Sequence, residues 1–420
     1  MAKLNKFSLD SLYNLASVGI GGVLYILTNT FIIQGFSEKT LGVFNQAYAV
    51  YIIISQITAF GIHLSIQQFI PRFYNQPNKI NETMSAAIIL TALISIIVVA
   101  LVFPLSYFSG KIFNSIEVQN ALQLCLGGVV LFSLNKVIMA FFNGKRLMKS
   151  FAIFTFLRFF LMFLSALIII YYYKNENIIS LILVIPELVL FLILIISLLS
   201  QIKFTFNNTK QYIKEHFKFG QHAFVGNLLL DINTRVDVVM LGIFLNDTMV
   251  GVYSFVLAVS EGILQIPVVF RNNINPIITK ASVMNNVSNK LSNLLQKNIK
   301  AFYKSIGGIS LITILLYPIG LLILSIDDYF WTYCILYSIL VAGIIISAGY
   351  LPFNMIFNQL KKPKVQSNFF FFIFLINVIG NALFINIIGI YGAAIGTSIS
   401  YIAHIFLIKY YAKKHNNLVL

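Results

Sequence analysis

The sequence predicts an all-α membrane protein, with twelve transmembrane helices in two six-helix bundles related by a parallel pseudo-two-fold repeat. Three observations carry this prediction. Twelve apolar stretches run through the 420 residues, the 29 Lys and Arg residues alternate between the gaps, and short motifs recur half a chain apart. Composition agrees with them. Hydrophobic residues make up 59% and charged residues 10%, with a mean hydropathy of +0.87, whereas about a quarter of a soluble domain is charged.

A helix rises about 1.5 Å per residue and the hydrocarbon is about 30 Å thick, so a crossing needs roughly 20 residues. The apolar stretches place spans at 12–34, 42–69, 83–107, 118–143, 148–172, 178–200, 218–244, 250–277, 301–325, 331–358, 365–387 and 389–410. They must be helices, because an open sheet edge in lipid leaves backbone groups unpaired, and the alternating pattern of a barrel is absent. With the N-terminus called inside, the inner gaps, both tails and adjoining span edges hold 22 basic residues, against Lys39, Lys111 and Lys174 outside. Cytoplasmic loops retain Lys and Arg, so the expected location is a bacterial inner (plasma) membrane, multi-pass, with both termini cytoplasmic.

The net charge of +16 is explained by loops facing anionic headgroups, and nucleic acid is not an expected partner. The polar segment 1–10 leads into a full-length span, so no cleavable signal peptide is expected. Cys125 and Cys334 lie in apolar runs and imply no disulfide framework. No cofactor and no metal are expected. A Gly-x-x-x-x-Gly-Lys phosphate loop and Cys/His metal spacings are missing, and the short outer gaps leave no room for a catalytic domain, so the chain reads as no enzyme. The longer inner gap 280–300 carries Met284, Val287, Leu291, Leu294 and Leu295 at three- and four-residue steps. That spacing suits either an interfacial helix or a solvated linker.

The repeat sets the domain organisation. Thr40-Leu-Gly42-Val43-Phe44 resembles Thr248-Met-Val-Gly251-Val252-Tyr253, and Phe142-Asn143 with Lys145 resembles Phe357-Asn358 with Lys361. Six spans per half is an even number, so both halves enter the membrane in the same direction. The expected division is an N-terminal lobe over 1–210 and a C-terminal lobe over 211–420, with a cleft between them.

Eight ionised residues fall deep within apolar stretches: Lys136, Arg158, Arg235 and Arg271, with Glu187, Asp231, Asp237 and Glu261. Each costs about 2.5–3.5 kcal/mol on insertion scales, so they need partners or water. Lys136 and Arg158 lie at similar depth on adjacent spans, an arrangement that makes either an anion site or a snorkelling pair. Asp231 and Arg235 are four apart and could pair or line a path. Arg271, followed by Asn272, Asn273 and Asn275, suits a headgroup-level anchor or a fourth cation of the cavity. Glu187, Asp231, Asp237 and Glu261 are candidates for ion coupling or structural pairing. His63 and His404 read as satisfied core groups, and Pro186, Pro267, Pro318 and Pro352 as kinks or hinges.

The stretch Thr234-Arg235-Val-Asp237-Val-Val-Met-Leu241-Gly242-Ile-Phe244, then Val250-Gly251-Val-Tyr253-Ser254, resembles the polysaccharide transporter / O-antigen flippase family of the multidrug/oligosaccharidyl-lipid/polysaccharide exporter superfamily. Leu41-Gly42-Val-Phe44 and Ile388-Gly389-Ile-Tyr391-Gly392-Ala393-Ala394-Ile-Gly396-Thr397 extend the likeness over essentially the whole chain. The resemblance implies a MATE-like fold and a flippase for an undecaprenyl-pyrophosphate-linked oligosaccharide, an O-antigen or capsule repeat unit, working by alternating access. It implies as partners a polyprenyl-linked glycan, the lipid bilayer and glycan polymerase machinery. Lys136, Arg158, Arg235 and Arg271 would then form a cationic, substrate-binding cavity. Rival readings are an ion-coupled multidrug or metabolite antiporter of the same superfamily and a membrane glycan polymerase.

Overall fold

A computed structural model describes residues 6–281, 287–416 and 418, and among them every regular element is helical. Eleven helices are long and apolar enough to cross a membrane. Their outward faces carry Leu101, Ile196, Leu315 and Ile323 at more than 60% exposure, the inverse of a water-facing surface and the expected result where lipid is the solvent. Such a chain is a multi-pass membrane protein. It divides into two compact units, Met1–Asp231 and Ile232–Leu420.

The first unit holds α1 (Lys6–Gly35), α2 (Glu38–Ala59), α3 (Ile62–Arg72), α4 (Pro77–Leu105), α5 (Ser109–Ile112), α6 (Ile116–Gly144), α7 (Met148–Leu167), α8 (Ile185–Leu199) and nearly all of α9 (Thr209–Asn233). The predicted span 42–69 is broken: Phe60 and Gly61 both adopt left-handed backbone, φ 43° and 69°, which ends α2 and starts α3. α9 docks on that break. Phe60 stacks between Phe217 and Phe224, and Gly220 lies against the Phe60 carbonyl, where a Cβ would come within 2.4 Å. Buried His216 completes the joint. Its Nε2 donates to the Thr83 carbonyl at 3.0 Å, and its Nδ1 lies 2.6 Å from the Ser65 hydroxyl. The sequence places the lobe boundary after residue 210; these contacts attach α9 to the first unit through its aromatic face.

The second unit holds α10 (Val236–Phe244), α11 (Asp247–Ala281), α12 (Val287–Phe302), α13 (Gly308–Ile323), α14 (Phe330–Ser347), α15 (Ile356–Gln359), α16 (Pro363–Ile388) and α17 (Ile390–Asn416). The seventh predicted span, 218–244, is therefore divided between α9 and α10 at Thr234–Arg235. Over the inner gap 280–300 the segment from Val287 is helical and not a linker: α12 runs through a π turn, Tyr303–Gly307, into α13, and Leu295, Ile299, Phe302 and Ile306 are buried at heptad spacing. Met284 lies outside the described residues. Of the prolines, Pro186 starts α8, Pro318 sits within α13 and Pro352 lies in a separate 3₁₀ turn, Leu351–Phe353, that follows α14.

The repeat seen in the sequence returns as backbone geometry. Asn114 and Tyr329, Arg146 and Lys361, and Lys174 and Gly389 all have positive φ, and each pair is separated by 215 residues. In the second pair the hydrogen bonds correspond as well: Leu147 N to Phe142 O at 2.9 Å, and Lys362 N to Phe357 O at 2.8 Å. Both are the six-residue closure that ends a helix at a left-handed residue. The caps also match, because Ser37 accepts from Thr40 N and Asn246 from Met249 N, each satisfying a free amide of a helix start.

Candidate functional site

Inside the first unit, α2, α3, α6, α7 and α8 enclose a cavity of about 340 Å³ whose lining includes Lys136, Arg158, Glu187 and His63. α6 presents Asn135 and Lys136 one turn and a half before its buried aromatic end. α7 presents Arg158. α8 supplies Glu187 from its first turn, because Pro186 restarts the helix there, and the free amides of a helix start favour a carboxylate.

Arg158 Nη2 donates to Glu187 Oε2 at 3.1 Å, a charge-assisted hydrogen bond, and its Nε lies 2.7 Å from Oε1 as an ion-pair contact. Asn135 Nδ2 donates to the same Oε2 at 2.7 Å and to the Glu187 carbonyl at 2.9 Å. The guanidinium also sits 4.6 Å above the Phe132 ring. Lys136 Nζ donates to Gln56 Oε1 at 2.7 Å. Lys136, Arg158 and Glu187 are thus brought together. Arg158 is matched by an anion, and Lys136 contacts a neutral amide. His63, read from sequence as a satisfied core group, is buried with no protein partner for Nδ1 and faces this cavity.

The second unit carries a separate network. Arg235 lies 3.7 Å from Glu261 on α11. α9 ends at Asn233 and α10 starts at Val236, so Asp231 and Arg235 lie on either side of a turn closed by the Arg235 N to Ile232 O hydrogen bond of 2.9 Å. Asp237 is 2% exposed and, like Glu187, occupies the first turn of a helix restarted inside the span. Its Oδ1 accepts from Val238 N at 2.9 Å, and its Oδ2 from Tyr253 Oη at 2.8 Å and from Thr397 Oγ1 at 3.4 Å. On α16, Asn377 donates to Asn233, and Asn381 donates to Asn377 at 3.0 Å. Arg271 donates to Asn354 at 3.2 Å. His404 makes a 3.3 Å contact from Nδ1 to the Ser400 carbonyl.

Sequence reasoning missed Gln56, Asn135, Tyr253 and the asparagines of α16. Asn377 and Asn381 were legible as two carboxamides one turn apart in an apolar helix. Gln56 carries no such signal, since it lies 80 residues from Lys136. Among the described residues no group of three or more His, Cys, Asp or Glu could hold a metal ion.

Two helical units with buried charge networks define a transporter-like membrane protein, and solved structures share the fold. A multidrug resistance MATE family transporter of the MOP superfamily, inward-facing, aligns with a TM-score of 0.78 at 14% identity over 92% of each chain. The lipid II flippase MurJ, inward closed, aligns at 0.75 with 15% identity, over 96% of this chain and 87% of that one. An MOP superfamily transporter from Pyrococcus furiosus aligns at 0.62 with 12% identity, over 95% and 93%. No curated protein sequence matches. The family pattern described as "Polysaccharide biosynthesis protein" matches residues 7–283, and the chain belongs to that family.

Proposed function

We propose that this protein is a flippase that carries an undecaprenyl-pyrophosphate-linked oligosaccharide, an O-antigen or capsule repeat unit, from the cytoplasmic to the periplasmic leaflet by alternating access. Most of the carrier's tail stays in lipid while its head crosses. The observation that carries this reading is the Lys136–Arg158–Glu187 cluster, because charges kept in an oil-facing bundle at several kcal/mol need a polar cargo to justify them. Family membership and a fold shared with a protein described as a lipid II flippase support it. Lys136, Arg158, Arg235 and Arg271 act on the anionic head, and the basic inner gaps support a cytoplasmic position for both termini. Glycosyltransferase products are the cargo source, and glycan polymerase machinery is the consumer.

Asp237 is assigned the coupling role. It is a buried carboxylate that accepts from two hydroxyls and an amide, and a carboxylate so placed takes up a proton or a small cation. The antiporter reading uses the same fold, and one experiment separates the two. Proteoliposomes holding the purified chain should move a fluorescent polyprenyl-diphosphate glycan, and Asp237→Asn should abolish the dependence of that movement on an imposed ion gradient. Movement of cationic dyes instead of the lipid-linked glycan would overturn the flippase reading.

A further inference from the structure

The cavity of the first unit has walls unlike those of a sugar pocket. Most of the exposed lining surface is apolar, Phe132, Phe151, Phe159, Met139, Met162 and Leu183 contributing to it, while Tyr48, Tyr51, Gln67 and Thr155 add a few polar groups. A sugar ring turns hydroxyls to every side, and each one buried without a partner costs roughly 1–3 kcal/mol. Phenylalanine faces and unbranched, polarisable methionines instead accommodate an irregular apolar chain.

The charge inventory narrows the occupant further. Glu187 neutralises Arg158 within the lining, so Lys136 is the lining cation held by a neutral group. Asp231 acts on Lys136 electrostatically but does not line the cavity. His63, near enough for the Lys136 charge to act on it, adds a buried ring nitrogen with no hydrogen-bond partner in the protein. One ammonium and one imidazole suit a single negative charge and leave a second uncompensated.

We propose that this cavity receives the first isoprene units of a polyprenyl carrier, with the adjoining phosphate against Lys136 and His63. At roughly 30 Å³ per non-hydrogen atom, the packing of liquid water, 340 Å³ holds about eleven atoms, enough for the phosphate group and the first five-carbon unit, with the next unit leading out through the cavity's open side. A phosphate esterified on both sides carries one negative charge, as the inventory requires. The ammonium and the imidazole supply the charge-assisted hydrogen bonds. The inference rests on the flippase reading and says which part of the cargo the first unit reads: the carrier common to all such lipids, not the variable sugar.

The test uses full-length protein in lipid nanodiscs and a diazirine-bearing geranyl methyl phosphate, a diester with one negative charge, as the probe. Crosslinks should map to α6 and α7, and unlabelled geranyl methyl phosphate should compete at least tenfold better than geraniol, glucuronate or phosphatidate. Lys136→Gln should cut labelling about tenfold and Lys136→Arg should restore it. Met162→Trp, checked for intact elution on size exclusion, should abolish it by filling the cavity. Competition by glucuronate would make this a sugar pocket, equal competition by phosphatidate a membrane phospholipid site, and each overturns the proposal. Glycan translocation without labelling in the cavity sinks this inference alone; labelling without translocation sinks the flippase reading alone.

Discussion

The two units share a frame and differ in where they keep their charges. Positive-φ turns recur at a spacing of 215 residues, yet the residues 215 positions after Asn135, Lys136, Arg158 and Glu187 are Tyr350, Leu351, Ile373 and Ile402. Conversely, Arg235, Asp237 and Glu261 correspond, 209 positions back at the spacing of the matched caps, to Ile26, Thr28 and Ile52. The same backbone positions thus tolerate isoleucine in one unit and an ionised group in the other. The helical frame does not require these charges, which is why they are read as belonging to function. A second difference is mechanical: α2 and α3 are separated at Phe60–Gly61, whereas α11 runs unbroken from Asp247 to Ala281.

The largest expected effect comes from making the first unit resemble the second. Arg158→Ala alone leaves Glu187 buried without its cation and should destabilise the protein by about 3–5 kcal/mol. Arg158→Ile with Glu187→Ile installs the residues of the second unit. That double variant should recover most of the lost thermal stability in detergent, yet display no surface glycan in cells. Full glycan display by the double variant would reduce the cluster to packing and break the comparison.

Next in size is the joint that only the first unit possesses. Burial holds His216 down to about 4, well below the ordinary imidazole value, while its bond to the Thr83 carbonyl opposes the shift. The unfolded chain therefore binds a proton below about pH 6.5 that the folded chain refuses until about pH 4. Stability should rise with pH across that window, by a total on the order of 3 kcal/mol, and be flat above it. Unfolding midpoints from pH 4 to 7 should lose much of this slope in His216→Gln; an unchanged slope would place the sensitivity elsewhere. Gly220→Ala probes the same joint more gently. Its Cβ meets the Phe60 carbonyl, and α9 must shift, at about 1–3 kcal/mol of overpacking cost, read as a lowered melting temperature.

The sequence made the frame legible because apolar length, basic alternation and turn punctuation are local properties. All eight charges within apolar stretches were visible for the same reason. Their pairing was not. Arg235 meets Glu261 across helices, because the chain breaks at Thr234–Arg235 in a segment with neither Pro nor Gly to mark it. Polar Asn233 and Thr234 can offer the backbone local alternatives to a helix, but apolarity averaged over a whole span conceals that. Gln56 and Asn135 take their roles from packing between helices far apart in sequence, which no periodicity reports. His63 looked like an ordinary core histidine until neighbours failed to appear around its Nδ1.

The smallest effect tests the shared frame itself. Arg146 and Lys361 hold left-handed backbone, φ 56° and 59°, at matched helix ends with matched closing hydrogen bonds. A side chain with a Cβ bears a conformational penalty there that glycine escapes, about 1 kcal/mol. Arg146→Gly and Lys361→Gly should each raise stability by up to that amount, offset by the greater freedom glycine gives the unfolded chain. The informative quantity is the difference between the two variants: equivalent turns should shift the melting temperature alike, and the double variant should be additive within about 0.5 kcal/mol, since the two sites share no partner. A gain at one turn and a loss at the other would mean that the recurring backbone geometry is held by different forces in the two units, and the repeat would then be one of shape without common energetics.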